Sequence, residues 1–132
     1  MSTETRTTAA VDLVTLYRPV GQIELDLIRY FEFRAFPPRR PTQPLFYPIA
    51  NERYATEVAQ TWDAQQGGHR VGYVTRFTVP KDYLARYDLH QVGRSYHQEY
   101  WVPAEELDAF NQHLVGAIEV IAEYHGDVAV TG

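Results

Sequence analysis

The sequence predicts a single α+β domain in which a mixed sheet of about six strands packs against two substantial helices. Three observations lead there. Residues 71–79 alternate along the chain and stop at Pro80, as a half-buried strand does. Tyr54, Ala55, Val58, Ala59 and Trp62 recur at helical spacing behind Asn51, a residue suited to capping. The 132 residues carry no internal repeat, low-complexity block or linker, and a domain of this length buries roughly two-thirds of its unfolded surface.

Residues 1–11 are polar, Thr-rich and aperiodic, so they read as a disordered tail before a domain spanning 12–125, with 126–132 as a second tail. The fold starts near Asp12. Residues 11–18 are β-prone, and Pro19 is expected to close that strand. A helix over 22–33 follows, with Ile23, Leu27 and Phe31 as its inward stripe and Glu24 and Asp26 near its positive end. Pro37, Pro38, Pro41 and Pro44 make 34–44 a stiff, extended loop. Residues 45–49 form a short strand that Pro48 confines to an edge, and Asn51 opens the second helix. After a loop at 65–69 and the strand at 71–79, residues 81–87 allow two helical turns with Tyr83, Leu84 and Tyr87 inward. A short strand over 89–92 and the Gly93-Arg94 turn lead to a strand through Glu99. Pro103 then starts a helix of about two turns through Leu107 and Phe110, and 117–124 form the last strand.

Composition narrows function by exclusion. Without cysteine there is no disulfide, thiol nucleophile or Cys-based zinc site. The first ten residues hold no apolar core of a signal peptide, and no run approaches the roughly 20 apolar residues of a membrane span. A soluble, cytoplasmic protein without membrane contact is expected. A net charge of −5 argues against general affinity for a nucleic-acid backbone, although Arg34, Arg39 and Arg40 form a local basic patch around Pro37-Pro38. An aromatic content of 14%, with ten tyrosines, points to a site or interface walled by rings or to core packing. A homo-oligomer stays open.

The segment Ser95-Tyr96-His97-Gln98-Glu99-Tyr100-Trp101-Val102-Pro103 carries most of the chemistry. Strand alternation puts Ser95, His97, Glu99 and Trp101 on one face. A carboxylate taken out of water needs a partner, so Glu99 belongs either at an edge or in a site. Arg18, Tyr47 and Glu99 stand on three strands far apart in sequence and can converge on one cleft. Arginine grips phosphate with two donors, tyrosine offers a flat face to a heteroaromatic ring, and a carboxylate stabilises an oxocarbenium-like state. The trio suits attack at the anomeric carbon of a nucleotide sugar. Arg39 and Arg40 are candidates for holding a pyrophosphate. The plain alternatives are a surface Arg18, a packing Tyr47, a solvated Arg39-Arg40 loop and a Glu99 paired with an arginine such as Arg76 across the sheet. As a metal pair, His97 and Glu99 lack an evident third ligand among His69, His90, His113 and His125. A Ser-His-Asp hydrolase has no support, since Ser2 lies in the tail and Ser95 has no nucleophile-elbow glycines.

The order of these pieces is familiar. Leu16-Tyr17-Arg18 before a helix, Phe46-Tyr47 before a helix carrying Ala55, Phe77-Thr78-Val79-Pro80, and then Glu99-Tyr100-Trp101-Val102-Pro103 resembles the ADP-ribosyltransferase fold. The chain looks most like short bacterial proteins labelled for ADP-ribosylation together with J-type crystallin, over about residues 14–124. It is too short and strand-rich for the larger all-α glycohydrolases to which the crystallin part of that label belongs. The resemblance implies NAD as substrate. Arg18 would grip a phosphate or ribose, Tyr47 would stand beside nicotinamide, Glu99 would be the catalytic glutamate, and His97 would serve the acceptor. Two positions depart from the pattern: Phe46-Tyr47-Pro48-Ile49 replaces Ser-Thr-Ser, and His97 stands where many transferases keep Glu or Gln. Two further readings therefore stay open. One is a catalytically silent module that binds a nucleotide or partner in the same cleft. The other is a metal-free acid–base enzyme of specialised metabolism using His97 and Glu99.

Overall fold

The computed structural model describes residues 12–63 and 70–126; the expected tails at 1–11 and 127–132, the loop expected at 65–69 and the Trp62 side chain lie outside them. The described residues form an α+β structure with seven strands in small sheets and four α-helices. The central sheet is antiparallel in the order β1 (Leu13–Gly21), β3 (Val71–Pro80), β7 (Glu119–His125). Two further pairs stand beside it: β2 (Leu45–Phe46) with β6 (Val102–Pro103), and β4 (Leu89–Gln91) with β5 (Gln98–Tyr100). Ile49 links them, bridging Tyr17 of β1 on one side and Glu99 of β5 on the other.

Pro19 does not end β1, because the strand continues to Gly21 with Pro19 opposite Val74. The N–H of Tyr17 points away from β3, to the Ile49 carbonyl 2.9 Å away. Two residues on, Pro19 directs its ring nitrogen to that same outer side and so removes no bond from the β1–β3 ladder.

The first helix, α1 (Gln22–Tyr30), faces differently from its expected stripe. Leu25 and Ile28 are buried, whereas Ile23 and Leu27 are 55% and 42% exposed. Arg18 explains the rotation. Its Nε and Nη2 donate to the two oxygens of Glu24 at 2.6 and 2.9 Å, and Tyr73 donates to Gln22 at 2.6 Å, which turns the Leu25–Ile28 side onto the sheet. The helix also stops earlier than expected. Glu32 and Phe33 adopt left-handed φ values of 59° and 60°, and the Phe33 N–H closes a six-to-one bond to the Ile28 carbonyl at 2.9 Å.

The second helix, α2 (Glu52–Val58), runs into a π turn over Ala59–Asp63, and Asn51 caps it by accepting from the Tyr54 N–H at 2.9 Å. Asn51→Ala is expected to lower stability by about 1 kcal/mol, measured by chemical denaturation, since that N–H loses its acceptor. Ala55 and Ala59 press with Ile49 and Val74 on one face of the central sheet. On the other face, Leu16, Phe36, Phe46, Phe77 and Phe110 belong to the main core, reached by α1, α3 (Lys81–Leu84) and α4 (Leu107–Gln112). Tyr83, Leu84 and Tyr87 point inward as expected, although α3 is one turn rather than two.

The long strand expected through Glu99 is three pieces. Residues 94–97 make a turn, β5 spans Gln98–Tyr100, and the chain breaks at Trp101 before β6. Each piece answers to a different partner, β5 to β4 and β6 to β2. Pro103 leads into a 3-10 turn at Ala104–Glu106 and then α4.

Candidate functional site

Arg18, Arg39, Tyr47 and Glu99 line one pocket of about 310 Å³ together with Ile49, Tyr54 and Val58. The topology explains the convergence. Ile49 is the tie between β1 and β5, and Tyr47, two residues earlier, projects on its side of the chain.

At one end stand two guanidinium groups. Arg18 is 8% exposed, lies over the Phe46 ring at 4.8 Å and takes Glu24 as a bidentate partner. Arg39 is half-buried and donates from Nε to the Leu45 carbonyl at 3.0 Å. Burial, and then the neighbouring Arg18 charge, lower its pKa from the ordinary arginine value. Such a pair gains from a nearby anion, which Glu24 supplies in part. The proline loop that presents Arg39 is anchored at Phe36, whose N–H and carbonyl both bond the Asn111 side chain, at 2.9 and 3.0 Å. Arg40 is exposed and lies outside the pocket lining, so of the two arginines of this loop the structure brings only Arg39 to the pocket wall.

Glu99 is half-buried and held from two directions. The Tyr54 hydroxyl donates to one oxygen at 3.3 Å and the Trp101 indole N–H to the other at 3.1 Å. Burial and the Glu99 charge push the Tyr54 phenol up to about 12, so it stays a donor at neutral pH. Trp101 stacks in turn on His90, directly across the ladder from Glu99, at 3.7 Å and 13°. The edge-pair alternative does not hold, because Arg76 bonds Glu119 at 3.0 Å.

His97 is not on a strand face with Glu99. In the turn before β5, its Nδ1 accepts the Arg94 N–H at 3.1 Å, which leaves the proton on Nε2 facing Glu57 at 3.1 Å. Its ring stacks on Tyr54 at 4.4 Å, and a Cβ at Gly93 would come within 2.5 Å of Nδ1, so glycine there makes room for the imidazole. Glu57 also accepts from the Tyr96 hydroxyl, and these bonds hold its carboxyl below the usual range. His97 thus sits behind Tyr54, outside the pocket lining.

Sequence reasoning missed Tyr54 and Glu24. Tyr54 carried only a helix-packing signal and Glu24 only a helix-end charge, and neither signal reports which strand residue waits opposite. Among the described residues no group of three or more His, Asp or Glu could hold a metal ion, and no helix is long and apolar enough to cross a membrane. No family model, curated protein or solved structure matches the chain.

Proposed function

We propose that the Arg18–Arg39–Tyr47–Glu99 pocket is the NAD site of a small ADP-ribosyltransferase-like enzyme. The observation that carries the reading is the convergence, from separate parts of the chain, of two adjacent guanidinium groups, a tyrosine ring and a doubly anchored carboxylate around one cavity. The arginine end suits the pyrophosphate, and the Tyr47 ring offers nicotinamide a face. Glu99 supplies the negative charge that an oxocarbenium-like ribosyl centre needs. The bond from the ribosyl carbon to nicotinamide breaks, nicotinamide leaves, and an acceptor of unknown identity bonds that carbon and loses a proton. A volume of about 310 Å³ lies at the small end of the roughly 300–1,000 Å³ of small-molecule sites, so the pocket suits one half of the dinucleotide.

The position of His97 removes it from direct contact with an acceptor in this pocket and gives it a positioning role through Tyr54. The reading of a metal-free acid–base enzyme loses its support with that, since it needs His97 and Glu99 in one site. A specific observation favours the binding-module reading as the second choice: Glu24 already holds the Nε–Nη2 edge of the Arg18 guanidinium, a bidentate edge that the enzyme reading would give to a phosphate or ribose. Both readings share the pocket, and NAD binding tests that shared part. Millimolar NAD is expected to raise the melting temperature, by the equivalent of about 2.7 kcal/mol at a hundredfold excess over its dissociation constant. Arg39→Ala should remove most of the shift, and no shift with wild type would exclude a dinucleotide site.

A further inference from the structure

A second pocket of about 550 Å³ has a lining that includes Trp101, His90, Arg86, Tyr87, Asp88 and Glu106. Its volume is ordinary for a small-molecule site. Trp101 ties this space to Glu99: its indole N–H bonds that wall residue of the first pocket, while its ring, stacked on His90, lines the second and leaves the residue 37% exposed.

The charges facing this space are unequal. Glu106 accepts from the Tyr87 hydroxyl at 2.9 Å, and Tyr87 accepts in turn from Tyr83 at 2.8 Å, so a buried two-tyrosine chain fixes one carboxylate at the wall. Burial and these bonds raise the Tyr87 pKa, which keeps its hydroxyl a donor. Asp88 is exposed and makes no hydrogen bond or ion pair among the described residues. Against these two carboxylates stands one guanidinium, Arg86, drawn over the Tyr83 ring at 4.4 Å. An anion entering here would meet a lining with net negative charge. A cation would meet two counter-ions and an indole, whose ring face attracts positive charge.

We propose that this second pocket binds a small organic cation, an amine or guanidinium on a flat or apolar body, with Glu106 and Asp88 as counter-ions and the Trp101–His90 stack as its platform. The proposal stands whether or not the first pocket takes NAD.

Benzylamine and phenylacetate differ chiefly in the sign of their charge, so they are the probes. Binding is read on the isotope-labelled full chain from the Trp101 indole N–H resonance, identified by its loss in Trp101→Phe. Benzylamine is expected to move that signal saturably in the millimolar range, and phenylacetate is not. In the double variant Asp88→Asn, Glu106→Gln, benzylamine affinity should fall about tenfold or more. If that variant does not fold, Asp88→Asn alone serves, since its side chain holds nothing in place, and a threefold loss is expected. No saturable benzylamine shift, phenylacetate binding of equal strength, or unchanged affinity in the variant would each overturn the proposal.

Discussion

Glu99→Gln is expected to reduce nicotinamide release from NAD by on the order of a hundredfold or more while the protein melts close to wild type. The two halves of this expectation have separate causes. The rate falls because the amide cannot offset positive charge developing on the ribose. Stability holds because the amide oxygen still accepts from the Trp101 indole, while its NH2 can donate to the Tyr54 hydroxyl, which accepts as readily as it donates. The NAD-induced rise in melting temperature should persist in the variant, showing that the charge acts on the reaction rather than on the ground-state complex. Release and thermal melting measured side by side check the pair, and wild-type release from Glu99→Gln would remove Glu99 from the chemistry.

The second large effect is structural. Phe110→Ala is expected to destabilise the domain by about 3–5 kcal/mol, a fall in melting temperature of about 10 °C or more. Phe110 is fully buried, and its ring meets Phe46 at 5.5 Å, Phe77 at 6.2 Å and Tyr83 at 6.2 Å. Phe46 lies beneath the Arg18 guanidinium, so the vacancy would loosen the arginine end of the first pocket as well. Denaturant unfolding gives the free energy. A loss under about 1 kcal/mol would mean that the surrounding rings close over the gap.

The elements legible in the sequence are those whose signal is local. The alternation ending at Pro80 marked β3, the Asn51 cap and alanine spacing marked α2, and the inward set Tyr83, Leu84 and Tyr87 followed from spacing alone. Where the outcome depended on a distant partner, the local pattern misled. The Ile23–Leu27–Phe31 stripe was as plausible a buried face as Leu25–Ile28, and the choice between them rests on the Arg18–Glu24 and Tyr73–Gln22 bonds. Alternation through 95–102 carries no sign of the Arg94–His97 turn or of the switch of partner at Trp101, which put His97 behind Tyr54 rather than beside Glu99. Arg18, Arg39, Tyr47 and Glu99 could be picked out because each stands out locally: Arg18 and Glu99 as charges in strands, Tyr47 as a ring beside a proline, Arg39 as part of a basic patch in a proline loop. Their supports, Glu24, Tyr54 and the Ile49 bridge, carry no such mark.

Free nicotinamide measured by mass spectrometry after wild-type protein is incubated with NAD tests the central claim most directly. The account predicts nicotinamide in excess of a protein-free control and its loss with Glu99→Gln. Nicotinamide at the level of that control, across acceptor mixtures and with protein whose melting temperature NAD does raise, would contradict it and leave a pocket that binds the dinucleotide without cleaving it.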